Sequence, residues 1–297
     1  MSPHVYIVGQ TASGKTGLSL ELCDELGYEI LNTDSLLFYK GLDIGTAKPS
    51  AEELGRVKHH LVDVCDPGEG YTAATYLENA KAILKKEDKK FLCVGGSGFY
   101  INALDVGLLP IPSTDPKVRE LVLAIKNPVE ELEKVDPDIF NKISRNDLYR
   151  VGRALEVFKQ TGKPLSQWQK EYTPKPFAKK MAFELDRVFL RERITERAKL
   201  MVKEGIVDEV KILIDKGFGG WKPLHSVGYA QVLKYLSGEI KTEDDMVEEM
   251  VHKTMQLSKR QKTWFKKDKS VTWFDFSEKK KAKEFVKNCL EEDLWRV

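Results

Sequence analysis

The sequence predicts an α/β fold: a P-loop NTPase-like core with a parallel sheet flanked by helices, plus an inserted all-helical domain. Three observations carry this. An apolar run, Val5-Tyr6-Ile7-Val8, leads through Gly9-Gln10-Thr11-Ala12-Ser13-Gly14-Lys15-Thr16 into a helix-like stretch, residues 18–26. That is the strand, glycine loop, Lys, hydroxyl and helix order of a phosphate cradle. A second strand-to-helix junction of the same kind stands at Phe91-Leu92-Cys93-Val94 and Gly95-Gly96-Ser97-Gly98. Strands alternate with helices over the first 100 residues, as in a doubly wound parallel sheet, whereas a helical block follows. The predicted core is 1–112 with 177–297, and the predicted insertion is 113–176.

In the first loop, backbone amides and the helix N-terminus point at an anion. Lys15 adds a point charge, and Thr16 suits a Mg²⁺ that bridges phosphate oxygens. The next apolar run, Glu29-Ile30-Leu31-Asn32-Thr33, reads as a strand ending at Asp34-Ser35. A carboxylate at the C-terminal end of a strand beside a phosphate loop lies where open α/β sheets place ligands; a turn or helix-cap role is the alternative. Residues 41–49 hold too many turn formers for a regular element and read as a functional loop. Residues 59–64 read as a strand, and the adjacent His59 and His60 lack a spaced third ligand, so no metal site is expected there. Helical periodicity over 71–86 feeds the second glycine-rich junction, where Ser97 is either an N-cap or a ligand-facing hydroxyl.

The character changes at Pro110-Ile111-Pro112-Ser113. Residues 115–162 are helical, with breaks at Asn127-Pro128 and Asp136-Pro137. The last helix there, 147–161, carries Arg150 and Arg153 on one face. Sheet character returns over 181–185. A helix bearing Arg191, Arg193 and Arg197 follows, with Arg193 and Arg197 four apart on one face. Amphipathic helices run on through Leu213, Tyr229 and Leu236, and a strand at 271–274 and a final helix close the chain.

The 297 residues suffice for a proper core, and 41% hydrophobic residues is an ordinary globular composition. The net charge of +2 hides an asymmetry, because residues 1–112 carry 10 basic and 15 acidic side chains. The positive excess lies late. Residues 252–267 hold six Lys/Arg and no acid, with Trp264 and Phe265 among them, a solvated helix face or a polyanion contact. Cys23, Cys65, Cys93 and Cys289 lack metal-ligand or Cys-x-x-Cys spacing and read as small buried hydrophobes. No leader-like run precedes the first strand and no apolar run approaches 18 residues, so no membrane partner and a cytoplasmic setting with reduced thiols are expected. No surplus apolar helix face suggests a partner copy, which predicts a monomer.

Further motifs accumulate in order. They are Tyr39-Lys40-Gly41-Leu42-Asp43-Ile44-Gly45-Thr46-Ala47-Lys48-Pro49, then His60-Leu61-Val62-Asp63, Asp66-Pro67 with Tyr71, and Val94-Gly95-Gly96-Ser97 with Tyr100. Asn146-Asp147 with Arg150, Arg153-Ala154-Leu155-Glu156-Val157, Val227-Gly228-Tyr229 and Lys259-Arg260-Gln261 with Trp264 complete the set. On these, over nearly its whole length, the sequence resembles the tRNA isopentenyl/prenyltransferase family, the bacterial tRNA dimethylallyltransferases. The resemblance implies transfer of a dimethylallyl group from dimethylallyl diphosphate to the N6 amine of the adenine 3′-adjacent to the anticodon, position 37, in tRNAs reading codons that begin with U.

By position, the resemblance implies that Gly9, Gln10, Thr11, Ala12, Ser13, Gly14, Lys15 and Thr16 hold the donor diphosphate with Mg²⁺, helped by Arg197. It implies that Asp34 is the general base on the adenine amine, with Ser97 near the same base, where most members carry Thr. It implies tRNA contacts from Asp34, Ser35, Leu36, Leu37, Ser97, Arg119, Tyr149, Arg150, Val151, Gly152, Arg153, His225, Ser226, Val227, Gly228, Tyr229, Ala230, Lys259 and Arg260, the helical insertion meeting the anticodon stem-loop. There are departures. Gln10 stands for the usual Pro and Ser144-Arg145 for His-Pro. Met255 and Ala230 stand where many members carry cations.

The chemistry suits these residues. Breaking an allylic C–O bond to diphosphate produces a highly charged leaving group, which amides, Lys15, Arg197 and Mg²⁺ stabilise in advance. The adenine amine is a weak nucleophile that a carboxylate assists by accepting its proton. A stacked acceptor base must swing out into a pocket, and unpaired loop bases are the part of RNA that proteins read. A P-loop kinase acting on a small molecule or nucleoside explains residues 9–16 equally well, with Asp34 activating a hydroxyl. It accounts less naturally for the basic Trp-bearing segment and the insertion. A nucleotide-dependent RNA-binding switch lacks a base-recognition motif such as Asn-Lys-x-Asp.

Overall fold

The computed structural model describes residues 5–86, 89–172, 176 and 178–291. Residue 177, where the expected second core segment begins, lies outside them, as do residues 1–4 ahead of the first strand. The described residues divide into two compact units, one from Met1–Val106 with Pro176–Val297 and the other from Gly107–Lys175.

In the first unit β1 (Val5–Val8) feeds α1 (Lys15–Leu26), then β2 (Glu29–Asn32), α2 (Ala51–Arg56), β3 (His59–His60), α3 (Ala73–Leu84), β4 (Phe91–Gly95) and α4 (Gly98–Val106). The second unit holds α5 (Pro116–Leu123), α6 (Pro128–Val135), α7 (Pro137–Phe140), α8 (Leu148–Thr161) and α9 (Leu165–Glu171). The first unit resumes with β5 (Lys179–Glu184), α10 (Arg187–Glu204), α11 (Ile206–Asp215), α12 (Tyr229–Leu236), α13 (Glu243–Lys266), β6 (Val271–Asp275) and α14 (Lys279–Glu291). Each Pro break in the helical unit sits at a helix start, where a missing N–H costs nothing.

The six described strands form one parallel sheet in the order β3-β2-β4-β1-β5-β6. Side chains alternate between its faces. Val5, Ile7, Ile30, Leu92, Met181 and Phe183 join the core beneath α1, α10 and α14, whereas Tyr6, Val8, Leu31, Phe91, Cys93 and Ala182 join the core beneath α3 and α4. Both faces are therefore covered. The helical unit has its own small core of Val122, Leu132, Ile139, Val151, Ala154 and Leu155. All four cysteines are buried, and none is in a disulfide.

One reading needs correction. Residues 59–64 are not a strand beyond His60, because Leu61 (φ 61°) and Asp63 (φ 55°) take left-handed backbone angles that no strand accommodates. Just beyond, Cys65 makes a single isolated bridge to Tyr39. A feature with no signature in the sequence is Lys180. Fully buried in β5, its ammonium meets Asp105 at 2.5 Å, Asp268 at 2.9 Å and Ser270 Oγ at 2.9 Å. Removing one partner of such a buried pair costs about 3–5 kcal/mol.

Candidate functional site

Because β4 lies between β1 and β2, the C-terminal ends of these three strands are neighbours, and the segments leaving them converge on one edge of the sheet. The first turns at Gly14, whose φ of 91° is left-handed and closed to most side chains, so that α1 begins at Lys15. Three outside groups hold this loop. Gln10 Nε2 donates to Ser258 Oγ at 2.7 Å, Thr11 N–H donates to Gln261 Oε1 at 2.8 Å, and Arg193 Nε donates to the Ala12 carbonyl at 2.8 Å. Gln261 in turn donates to the Gly96 carbonyl at 3.1 Å, tying the loop to the second glycine-rich junction. A side chain at position 96 would have its Cβ 2.4 Å from the Gln261 amide, which is why that junction is glycine-rich.

The result is a cavity of about 740 Å³ lined by residues 11–17, Asn32, Asp34, Leu36, Leu37, residues 45–47, Val94 and Gly95 on one set of segments. Helix α10 contributes Glu192, Arg193, Glu196 and Arg197, and α13 contributes Met250, Thr254, Leu257 and Gln261. Lys15 donates to the Gln10 carbonyl at 2.5 Å. Burial pushes its pKa down to about 8, against the pull of Asp34 and with the repulsion of Arg197. Burial also lowers the Arg197 pKa, again opposed by Asp34 and helped by a cation, Arg193. Among the described residues neither Lys15 nor Arg197 forms a salt bridge, and the Ser13 hydroxyl is buried without a hydrogen-bond partner. Two confined cations and an orphan donor make this a site that favours an anion.

Asp34 makes the turn contact, its Oδ1 accepting the Leu36 N–H at 3.2 Å, and also lines the cavity. Asn32 braces it, accepting the Asp34 N–H at 2.8 Å and donating to the Asp34 carbonyl at 3.0 Å. Ser97 lies elsewhere. Its hydroxyl accepts the Ser35 N–H at 3.0 Å and donates to Ser35 Oγ at 3.1 Å, and it does not line the cavity. Lys15, Asp34 and Arg197 are thus brought together, with the exposed Thr16 in the first turn of α1 beside them.

The expected RNA-contacting residues separate into groups. Asp34, Leu36, Leu37, Val227 and Gly228 line the cavity. Lys259, Arg260 and His225 are exposed, Ser226 donates to the Pro223 carbonyl, and Ala230 is half-buried. Tyr229 is fully buried and donates to Glu209, and Val151 belongs to the core of the helical unit, so neither side chain is a surface contact. In that unit Tyr149 is exposed, and a Cβ added at Gly152 would come within van der Waals reach of Val122. Arg119 and Arg153 both pair with Glu156, at 3.2 and 3.3 Å, and Arg150 pairs with Asp147 at 3.2 Å. Sequence reasoning missed the loop-holding roles of Arg193 and Gln261, although the spacing of Arg193 and Arg197 put both on one face. It also missed Asn32, whereas the wall at 45–47 falls within the stretch read as a functional loop.

Among the described residues no cluster of three His, Cys, Asp or Glu side chains is arranged to hold a metal, and no helix is long and apolar enough to cross a membrane.

A family model described as IPP transferase matches residues 37–268. The tRNA dimethylallyltransferase of Bdellovibrio bacteriovorus is 40% identical over 286 residues, covering 91% of this chain and 92% of that protein. The tRNA dimethylallyltransferase of Synechocystis is 40% identical over 277 residues, covering 92% and 91%. Among solved structures, the full-length tRNA isopentenylpyrophosphate transferase of Bacillus halodurans matches with a TM-score of 0.72 at 32% identity, over 98% of each chain. A eukaryotic dimethylallyltransferase described as acting on tRNA matches with a TM-score of 0.79 at 25% identity, over 93% of this chain and 74% of that one.

Proposed function

The chain belongs to the IPP transferase family and its activity is prenyl transfer to tRNA; from that premise we infer that it moves a dimethylallyl group from dimethylallyl diphosphate to the N6 amine of adenine 37, in tRNAs reading codons that begin with U. The observation that carries this reading is the meeting of Lys15, Arg197 and Asp34 in one cavity at the carboxyl edge of the sheet. The kinase alternative is set aside, since the relatives that match over nine-tenths of the chain are transferases of the prenyl class.

The residues divide the work by charge. The amides of the loop, Lys15 and Arg197 take the diphosphate, whose negative charge grows as the allylic C–O bond breaks. Asp34 receives a proton from N6 as the new N–C bond forms, so diphosphate leaves and the prenylated amine is neutral. A divalent ion fits this donor set. Thr16 offers a hard oxygen ligand, and Mg²⁺ is commonly held by one or two protein oxygens plus substrate phosphates. When bound, Mg²⁺ would neutralise charge on the leaving group. In the helical unit, Arg119, Tyr149, Arg150 and Arg153 contact the anticodon stem-loop, and Lys259 and Arg260 add phosphate contacts from α13. We take the enzyme to act as a monomer in the cytoplasm, which light scattering of the purified protein checks for its first part.

One assay tests the reading: hypomodified tRNA, labelled dimethylallyl diphosphate and Mg²⁺, with ATP as a parallel donor. Prenylated RNA is the expected product. Phosphorylated product, or binding without transfer, would overturn it.

A further inference from the structure

One carboxylate outside the described chemistry gathers an unusual set of donors. Glu209, in the first turn of α11, accepts the N–H groups of three consecutive loop residues: Asp43 at 2.9 Å and Ile44 at 2.8 Å on Oε2, and Gly45 at 3.3 Å on Oε1. Its Oε1 also accepts the buried phenol of Tyr229 at 2.6 Å. The two oxygens of a carboxylate offer about four lone-pair sites, enough for these four donors at once. Among the described residues Glu209 makes no salt bridge, so amides and a phenol surround its charge. The Tyr229 ring closes the arrangement, since a Cβ at position 45 would lie 2.4 Å from it.

The segments this group grips are walls of the cavity. Residues 45–47 line it, as do Val227 and Gly228, the two residues before Tyr229. Elsewhere the same loop is anchored by Lys48, which pairs with Asp43 and Asp63 and donates to the Tyr39 carbonyl at 3.1 Å. Lys48 ties the stem of the loop, and Glu209 ties its crest. Thr46 has its hydroxyl spent within the loop, on the Leu42 carbonyl at 2.7 Å, so its position is inherited from these anchors.

We propose that Glu209, acting with Tyr229, is a positioning residue for prenyl transfer: it holds residues 45–47 and the 227–228 segment as a preformed wall of the reaction cavity. The proposal rests on the functional reading above. Misplacing a wall by about 1 Å costs on the order of 10²-fold in rate, whereas the phosphate loop is held by other groups, Ser258, Gln261 and Arg193. Glu209→Ala is therefore expected to lower kcat/KM for prenyl transfer about 10²-fold while inorganic diphosphate, titrated calorimetrically, binds within about twofold of the unaltered protein. Glu209→Gln keeps one acceptor oxygen and should recover part of the loss. Tyr229→Phe, which removes a single bond, should lose less and combine non-additively with Glu209→Gln. Hydrogen exchange of the 43–45 amides reports the clamp without any turnover, and protection should fall in Glu209→Ala.

Three outcomes overturn the proposal: kcat/KM within twofold of the unaltered protein, undiminished amide protection, or diphosphate affinity falling in step with turnover. Absence of prenyl transfer in the unaltered protein would instead strike the functional reading, and amide protection would still decide whether the clamp exists.

Discussion

The cations of the cavity and those of the helical unit are the same chemical groups in opposite states of engagement. Lys15 and Arg197 are confined, lowered in pKa by burial and without a carboxylate partner. Arg119, Arg150 and Arg153 are more exposed, yet each already holds a carboxylate, two of them the same Glu156. A confined, unpaired cation is costly until an anion arrives, so the cavity is built to bind charge strongly. A paired surface arginine is oriented beforehand but must share its carboxylate partner with any phosphate, which moderates electrostatic gain. The first arrangement suits a small, highly charged leaving group. The second suits a long backbone met at several points.

The sharpest way to break this comparison is at Asp34, the one acid that both cavity cations sense. Asp34→Asn is expected to reduce kcat about 10²–10⁴-fold with donor affinity little changed; steady-state kinetics showing equal losses in both would make Asp34 a binding group. Lys15→Ala should come next, costing about 10²–10³-fold in turnover with thermal stability retained. Substantial residual activity would remove the loop from the mechanism.

The pH dependence of donor binding sharpens the same point. Lys15 is charged below its pKa of about 8, and diphosphate favours the charged form. Affinity should therefore be level below that pH and weaken by up to about tenfold per unit as pH rises through it. Calorimetry in buffers of different ionisation enthalpy should show proton uptake on binding near pH 8. A profile flat to pH 10 would contradict the confinement of Lys15.

The smallest effects belong to the helical unit. Replacing Arg150 and Arg153 together by Ala should weaken tRNA binding and flatten its salt dependence by about one to two phosphate contacts. Glu156→Gln releases Arg119 and Arg153, so it should steepen that dependence. Identical slopes for both variants and the parent would return this face to plain solvated surface.

Much of the fold was legible because the strand-to-helix junctions carry local chemistry: Gly9 to Thr16, Asp34 after β2, and residues 95–98 after β4. The helical breaks were legible for the same reason, Pro at a helix start being a local rule. Legibility ended where geometry depends on distant groups. The left-handed angles at Leu61 and Asp63 interrupt a run that reads as a strand by composition. Ser97 stands at a position that suits a ligand, but Ser35 takes its hydroxyl. The acid that holds Arg119, and the carboxylate that holds residues 43–45, come from far along the chain, and no spacing rule announces either. For Lys180, a charged residue within a buried strand, the partner Asp105 lies on α4 and the partner Asp268 in the turn before β6.

The position of β1 in the middle of the sheet has a consequence for how the chain acquires its structure. β1 precedes the helical unit in the chain, yet one of its two neighbours, β5, follows only after that whole unit. Until then the edge that will meet β5 has no native partner, and the helical unit, with a core of its own, is free to fold first. Parallel pairing between such distant segments is slow and leaves strand edges exposed to association. Assembly of the nascent chain should therefore stall with the phosphate loop still unformed and complete late, when β5 docks and α10 and α13 bring the groups that fix it.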